Sequence, residues 1–273
     1  MRKMFGWLSL AFFLCFVVAC KSNFEKTRTS GDGALILKSA FEYYEKGQYQ
    51  KAQTLFELVL SSIKGGPEAE KATYQYAYTH YYLKQYLLGA YYFRNFSNTF
   101  VNSAFREEAA FMSAYSNYSL SPSYRLDQSS TQQAIEEFQL FTNLFPTSMR
   151  VEECNKLIDE LRRKLEEKAF AEGELYFNLR QYQSSVISFD NLLRDYPESP
   201  DAERVHYLIA KSEFLLSENS ILEKKADRYN ETIIRCNDFF EKYPQSQYTK
   251  EVKDIRRDAE LELRAVQKRL KTT

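Results

Sequence analysis

The sequence predicts an all-α protein, a right-handed solenoid of about five irregular helix pairs. Three observations carry this. Only eight Gly and six Pro interrupt 273 residues, which favours long helices joined by short turns. No stretch of useful length alternates apolar and polar residues at the two-residue period of a half-buried strand. Most informative is a spaced pattern that recurs five times: an aromatic or Thr, a small residue three positions on, and an aromatic or Cys four positions after that.

The pattern reads Tyr49, Ala52, Phe56; Tyr86, Gly89, Phe93; Thr131, Ala134, Phe138; Tyr182, Ser185, Phe189; and Tyr229, Thr232, Cys236. Eight residues beyond the last member of each of the final four stands a second marker. It reads Val101-Asn102-Ser103, Pro146-Thr147-Ser148, Pro197-Glu198-Ser199 and Pro244-Gln245-Ser246. The small residue allows the second helix of a pair to approach the first closely, and the Phe fills the neighbouring hole. Proline ends the second helix, and the serine is placed to cap the next one. Pairs with small residues twelve apart (Ala40 and Ala52, Ala77 and Gly89, Gly173 and Ser185) resemble tetratricopeptide repeats.

Taken in order, Arg2 and Lys3 precede an apolar run from Met4 to Ala19 that is short for a membrane span and ends in Val17-Val18-Ala19-Cys20. This is the form of a secretory signal, and its end resembles a bacterial lipobox, which implies lipidation of Cys20. Residues 1–19 are therefore read as signal peptide and 20–33 as a lipidated N-terminus and flexible tether. Such a tether would hold the first helix about 20 Å from the bilayer. Repeats one to three occupy 34–148, with Gly65-Gly66-Pro67 as an inter-helix turn and 121–130 as a polar insertion. From Met149 to Glu172 no Gly or Pro occurs, and Cys154, Leu157, Ile158, Leu161 and Leu165 keep helical period, so one long helix is expected. Repeats four and five follow, the fifth lengthened by an insertion at 217–227. A charged amphipathic helix from Glu251 caps the array, so that 149–273 forms the second half.

Composition excludes several functions. The chain holds 37 Lys+Arg against 37 Asp+Glu; loss of Arg2 and Lys3 leaves a net charge of −2. There is no basic stripe with interleaved aromatics of the kind nucleic-acid binding uses. His80 and His206 show neither ligand nor triad spacing, and no glycine-rich phosphate loop is present. No catalytic constellation, metal site or cofactor site is expected. The carboxylate pairs Glu107-Glu108 and Glu166-Glu167 read as solvated helix faces. Cys154 and Cys236 lie in apolar-periodic segments, as small hydrophobes do, and sequence does not say whether they pair.

A lipobox, a tether and about five repeats ending in Pro-x-Ser together resemble the BamD family, lipoproteins of the outer-membrane β-barrel assembly machine. The most specific stretches are Arg125-Leu126-Asp127-Gln128 with Thr131, Ala134-Ile135 and Phe138, and Gly173, Tyr176, Gln181-Tyr182 leading into Leu193-Arg194-Asp195-Tyr196-Pro197. The resemblance implies a lipid-anchored, periplasm-facing scaffold at the outer membrane. It would bind the barrel-forming subunit through that subunit's periplasmic domains, and unfolded outer-membrane proteins through its first repeats. The family commonly has Arg just before the Phe of repeat four, on the partner side; here that position is Ser188, with Arg180, Arg194 and Arg204 nearby as possible substitutes. A generic periplasmic repeat adaptor for envelope division or peptidoglycan coordination is the competing reading.

Tyrosines crowd into the first two repeats. Adjacent residues on a helix diverge by about 100°, so one of each Tyr pair must face outward. Tyr joins a large apolar face to a polar tip, which suits extended peptide. Tyr43, Tyr44, Tyr74, Tyr78, Tyr81 and Tyr82 are thus expected to line an aromatic, concave substrate groove.

Overall fold

The computed structural model describes residues 23–271. These form twelve α-helices: α1 (Asn23–Arg28), α2 (Gly33–Glu45), α3 (Tyr49–Val59), α4 (Ala69–Tyr82), α5 (Tyr86–Thr99), α6 (Arg106–Leu120), α7 (Ser129–Leu144), α8 (Val151–Asn178), α9 (Tyr182–Asp195), α10 (Ala202–Glu218), α11 (Leu222–Lys242) and α12 (Thr249–Leu270). No strand occurs among the described residues. The fold is all-α and built from tetratricopeptide-like helix pairs. The signal segment and Cys20 lie outside the described residues.

The helices form two compact units. One holds the described residues up to Ser121 together with Ser129–Ile158; the other holds Pro122–Gln128 and everything from Asp159 onward. In the first unit α2/α3, α4/α5 and α6/α7 are the pairs, and α2 also touches α4, the first helix of the next pair. In the second, α9 packs on α10, α10 on α11, and α12 on both α10 and α11.

The recurring pattern is the core of both units. Ala52, Ala134, Ser185 and Thr232 are fully buried, as are Phe56, Phe93, Phe138, Phe189 and Cys236, and Gly89 is buried with them. Ser185, standing where a plain small residue would do, satisfies its hydroxyl by donating to the Gly173 carbonyl at 3.0 Å. Gly173 is required here: a Cβ added to it would meet the Phe189 ring at 2.5 Å.

Three of the turns within pairs share one device. Gly47, Lys84 and Arg180 adopt positive φ, each followed by Gln and then Tyr. In each, the Gln N–H donates back into the last turn of the ended helix, to the Tyr43, His80 and Tyr176 carbonyls at 2.9 Å. This closes the helix end in the left-handed cap that glycine adopts most cheaply. The last of these turns lies at Arg180, so α8 runs past Gly173 and ends only at Asn178, beyond the expected end at Glu172.

Turns between pairs differ from expectation in detail. Ser103, Ser148, Ser199 and Ser246 accept the N–H two residues on, from Phe105, Arg150, Asp201 and Tyr248. They organise a turn before the helix and are not its N-cap. Three of these hydroxyls donate in addition to a Glu on the first helix of the preceding pair: Ser103 to Glu70, Ser148 to Glu107 and Ser246 to Glu203. Each such serine ties the turn that leaves a pair to the helix that opens it.

Three further expectations are revised. Within the stretch read as a tether, α1 packs through Phe24 on the core of repeat one, and Asp32 caps α2 by accepting from Ala34 and Leu35 N–H. The 217–227 insertion becomes the end of α10 and the first turns of α11. The polar loop before α7 belongs to the second unit, where Gln128 Nε2 donates to the Ser123 and Leu126 carbonyls and Lys168 also donates to Leu126. At the other end, α12 buries Val252, Ile255, Ala259 and Val266 along one face.

Candidate functional site

The first unit carries a connected aromatic face on its early helices. Tyr74, Tyr78 and Tyr82 are spaced four apart, so they rise along one side of α4. Tyr74 and Tyr78 meet edge to face at 5.0 Å, and Tyr78 and Tyr82 stack at 5.6 Å. Tyr82 continues onto Tyr49 in a 4.3 Å stack, with Tyr44 of α2 against both rings at 5.6 Å from Tyr49 and 6.4 Å from Tyr82. At the other end Tyr74 stacks on Phe105 at 4.6 Å. Tyr81 branches from Tyr82 toward Tyr86 and Tyr115. Burial raises the hydroxyl pKa of Tyr44, Tyr74, Tyr78, Tyr81 and Tyr82, so all are neutral donors. Tyr82 nevertheless remains 44% exposed, and the other four are half-buried.

Polar groups on this face are few and fixed. Tyr78 Oη donates to Glu108 Oε1 at 2.8 Å, and Arg150 Nη2 donates to Glu108 Oε2 at 2.6 Å. The Arg150 guanidinium also lies 4.0 Å from the Phe111 ring centre. Glu108 is thus a half-buried member of a hydrogen-bonded clasp and not the solvated face expected of Glu107-Glu108; Glu107 is exposed but engages Ser148.

Five of the six tyrosines named from sequence come together here. Tyr43 points elsewhere: its ring meets Phe24 of α1 at 5.7 Å, with Lys51 Nζ above both. Sequence reasoning did not place Tyr49, Phe105, Glu108 or Arg150 on this face. Tyr49 carried a signal, since it opens the first repeat pattern; the others come from loops and helix starts that only packing brings together.

A second polar centre in the same unit links successive second helices. Glu137 of α7 is buried, paired with Arg94 of α5, and accepts from Ser113 at 2.7 Å, Asn117 at 2.9 Å and Gln133 at 3.1 Å. In the second unit Arg235 of α11 forks onto Asp190 of α9 at 3.1 and 3.0 Å and also pairs with Glu231. In both, the residue just after one repeat's Phe pairs with the residue just before the next repeat's Phe or Cys. Ser188 occupies that preceding position in repeat four.

Ser188 lines a groove of about 390 Å³ between α8 and α9, beside Tyr176, Ile187 and Asn191. Arg180 lies in the positive-φ turn joining those helices, and Arg194 pairs with Asp195. Arg204 is held by Glu174 and sits 4.7 Å from the Phe170 ring centre.

His80 is buried, its pKa lowered by burial, with Gln85 at 2.7 Å and Tyr92 stacked at 4.7 Å; it is a structural clamp on the turn after α4. Cys154 and Cys236 are buried free thiols, raised by burial to about 11 and about 12, and so unreactive. Among the described residues no group of His, Cys, Asp or Glu is arranged to hold a metal ion, and no helix is long and apolar enough to cross a membrane.

Helix pairs, aromatic first-helix faces and buried small residues define a tetratricopeptide-type interaction scaffold. The model of the YfiO family, described as outer membrane lipoprotein, matches residues 32–225 and again 175–266. The chain therefore belongs to the YfiO family of outer-membrane lipoproteins, which is the BamD family. Among solved structures, the chain is similar to a thermophilic tetratricopeptide-repeat protein of Thermus thermophilus. The identity is 16% over 84% of this chain and 100% of that one, with a TM-score of 0.28, too little overlap to bear on the fold. No match is found among curated proteins.

Proposed function

We propose that this outer-membrane lipoprotein is a non-enzymatic scaffold of the β-barrel assembly machine. Residues 1–19 direct export, Cys20 receives the lipid, and the repeats face the periplasm. Residues 34–148 bind unfolded outer-membrane proteins, and residues 149–273 bind the periplasmic domains of the barrel-forming subunit, with the groove at Ser188 and the cations Arg180, Arg194 and Arg204 at that contact.

The observation that carries this reading is the aromatic face on α2 and α4. Nascent barrel strands are extended, alternate in polarity and are rich in aromatics at their membrane girdles. Rigid Tyr rings offer such segments large apolar area at small entropic cost while their hydroxyls take backbone hydrogen bonds. The guanidinium on the face, Arg150, is held between Glu108 at 2.6 Å and Glu153 at 3.5 Å.

The test is affinity purification of the Cys20-anchored protein from detergent-solubilised outer membrane, with partners identified by mass spectrometry. Stoichiometric recovery of an outer-membrane barrel bearing periplasmic repeat domains supports the proposal. Recovery of division or cell-wall proteins without such a barrel overturns it in favour of a general envelope adaptor.

A further inference from the structure

The anchor is shorter than its sequence implies. Only Lys21 and Ser22 separate Cys20 from Asn23, where α1 begins. A trans chain spans at most about 3.6 Å per residue, so the Cα of Asn23 lies within about 11 Å of that of Cys20. From Asn23 onward the chain is held. Phe24 packs on the core of repeat one and meets the Tyr43 ring edge to face at 5.7 Å, and Lys51 of α3 stands 6.0 Å and 5.2 Å from the centres of these two rings. Thr29 and Ser30 close the helix through backbone bonds to Glu25 and Thr27, and Asp32 caps α2. The reach from the lipid-bearing residue is thus set by the two residues before α1 and not by the whole of 20–33.

We infer that repeat one rests directly on the headgroup layer of the bilayer that holds the Cys20 acyl chains, through the edge formed by α1, the α2 residue Tyr43 and the start of α3. This rests on the lipidation proposed above. The chemistry of the edge fits its occupant. Phe24 and Tyr43 are partly exposed aromatics, and such rings sit at the membrane interface. Arg28 is neutralised by Glu25 at 2.8 Å, leaving Lys26 and Lys51 as cations of this edge, suited to anionic lipid headgroups. A consequence is orientation: the aromatic face of α4 begins one helix pair away from the bilayer, where an exported chain would be met as it nears the membrane.

The experiment uses the intact lipoprotein reconstituted into phosphatidylethanolamine–phosphatidylglycerol vesicles. A donor dye is placed at Gln50→Cys, on the first turn of α3, and acceptor dyes on lipid headgroups; the buried Cys154 and Cys236 stay unlabelled. Because Gln50 lies on the contact edge itself, the expected donor-to-surface distance is within about 12 Å, one helix diameter. Phe24→Ala, which frees α1 from the core, should lengthen it, as should a Gly/Ser insertion as long as α3 placed after Ser22 and combined with Lys26→Glu and Lys51→Glu. A distance beyond about one helix diameter in the unmodified, acylated protein, about 20 Å or more for a loose tether, overturns the inference while leaving the anchor intact. Absence of acyl chains on Cys20 by mass spectrometry overturns both.

Discussion

Gly173 offers the sharpest test of how the second unit is packed. In a helix interior, alanine ordinarily exceeds glycine by about 1 kcal/mol. Here the new Cβ would lie 2.5, 2.6 and 2.9 Å from Cε1, Cδ1 and Cζ of Phe189. Ordinary carbon contacts need about 3.5 Å or more, so the ring must move by roughly 1 Å. It has nowhere to go: Phe189 is fully buried, with Phe170 at 5.8 Å and the α10 and α11 core around it. Overpacking of this kind costs about 1–3 kcal/mol, and a rigid ring side places it at the upper end, for a net loss near about 2 kcal/mol after the propensity gain. Thermal unfolding followed by circular dichroism should show the second unit melting about 5–10 °C lower. Gly89→Ala is the control, because its Cβ would meet only Ser116 Oγ at 3.4 Å and the Tyr81 backbone at 3.5 Å; it should be neutral or stabilising by up to about 1 kcal/mol. Phe189→Leu should be less damaging in the Gly173→Ala background than alone. A Gly173→Ala protein as stable as wild type would refute the argument.

The same geometry has other consequences. Lys84→Gly and Arg180→Gly relieve left-handed backbone and should each stabilise by about 0.5–1 kcal/mol in urea titrations, whereas Gly47→Ala should destabilise by a similar amount. Glu213 is buried on α10 and its pKa is raised by burial from 4.5 to about 6, so its stabilising contribution is present below pH 4.5 and lost as pH rises through 6. Glu213→Gln should accordingly gain about 1–2 kcal/mol above about pH 7 and nothing near pH 4. His206 runs the opposite way: burial, then Lys242, holds its pKa down to about 4, so its contribution is present above pH 6.5 and lost as pH falls through 4. His206→Gln should flatten the stability profile across that same window, read by melting temperature. Tyr82→Ala should weaken binding of an unfolded barrel-protein peptide about tenfold by fluorescence anisotropy, with the melting temperature of the first unit lowered by only a few degrees.

What the chain determined alone was the repeat. Residues three or four positions apart share one face of a helix whatever the rest of the fold does, so Ala52 with Phe56 or Ser185 with Phe189 declared a core before any partner was known. Proline similarly announced where α7, α9 and α11 stop. That one member of each tyrosine pair must face outward was also legible, since helix geometry forces adjacent side chains apart, but not which member. Which tyrosines join was not. Tyr43 and Tyr44 differ by one position, yet one turns to α1 and the other to Tyr49 and Tyr82, because Phe24 of α1 meets only the first of them. Glu108 and Arg150, distant in sequence, look like ordinary surface charges until α6 and the start of α8 bring them to Tyr78. Lys84 and Arg180 hide left-handed turns that glycine would have advertised, because the bond from Gln85 or Gln181 back to the finished helix offsets the cost of their backbone. Helical period is a local property and is written in local sequence. The aromatic face, the ion pairs between second helices and the docking of α1 on repeat one depend on distant segments meeting, and only the tertiary structure decided those.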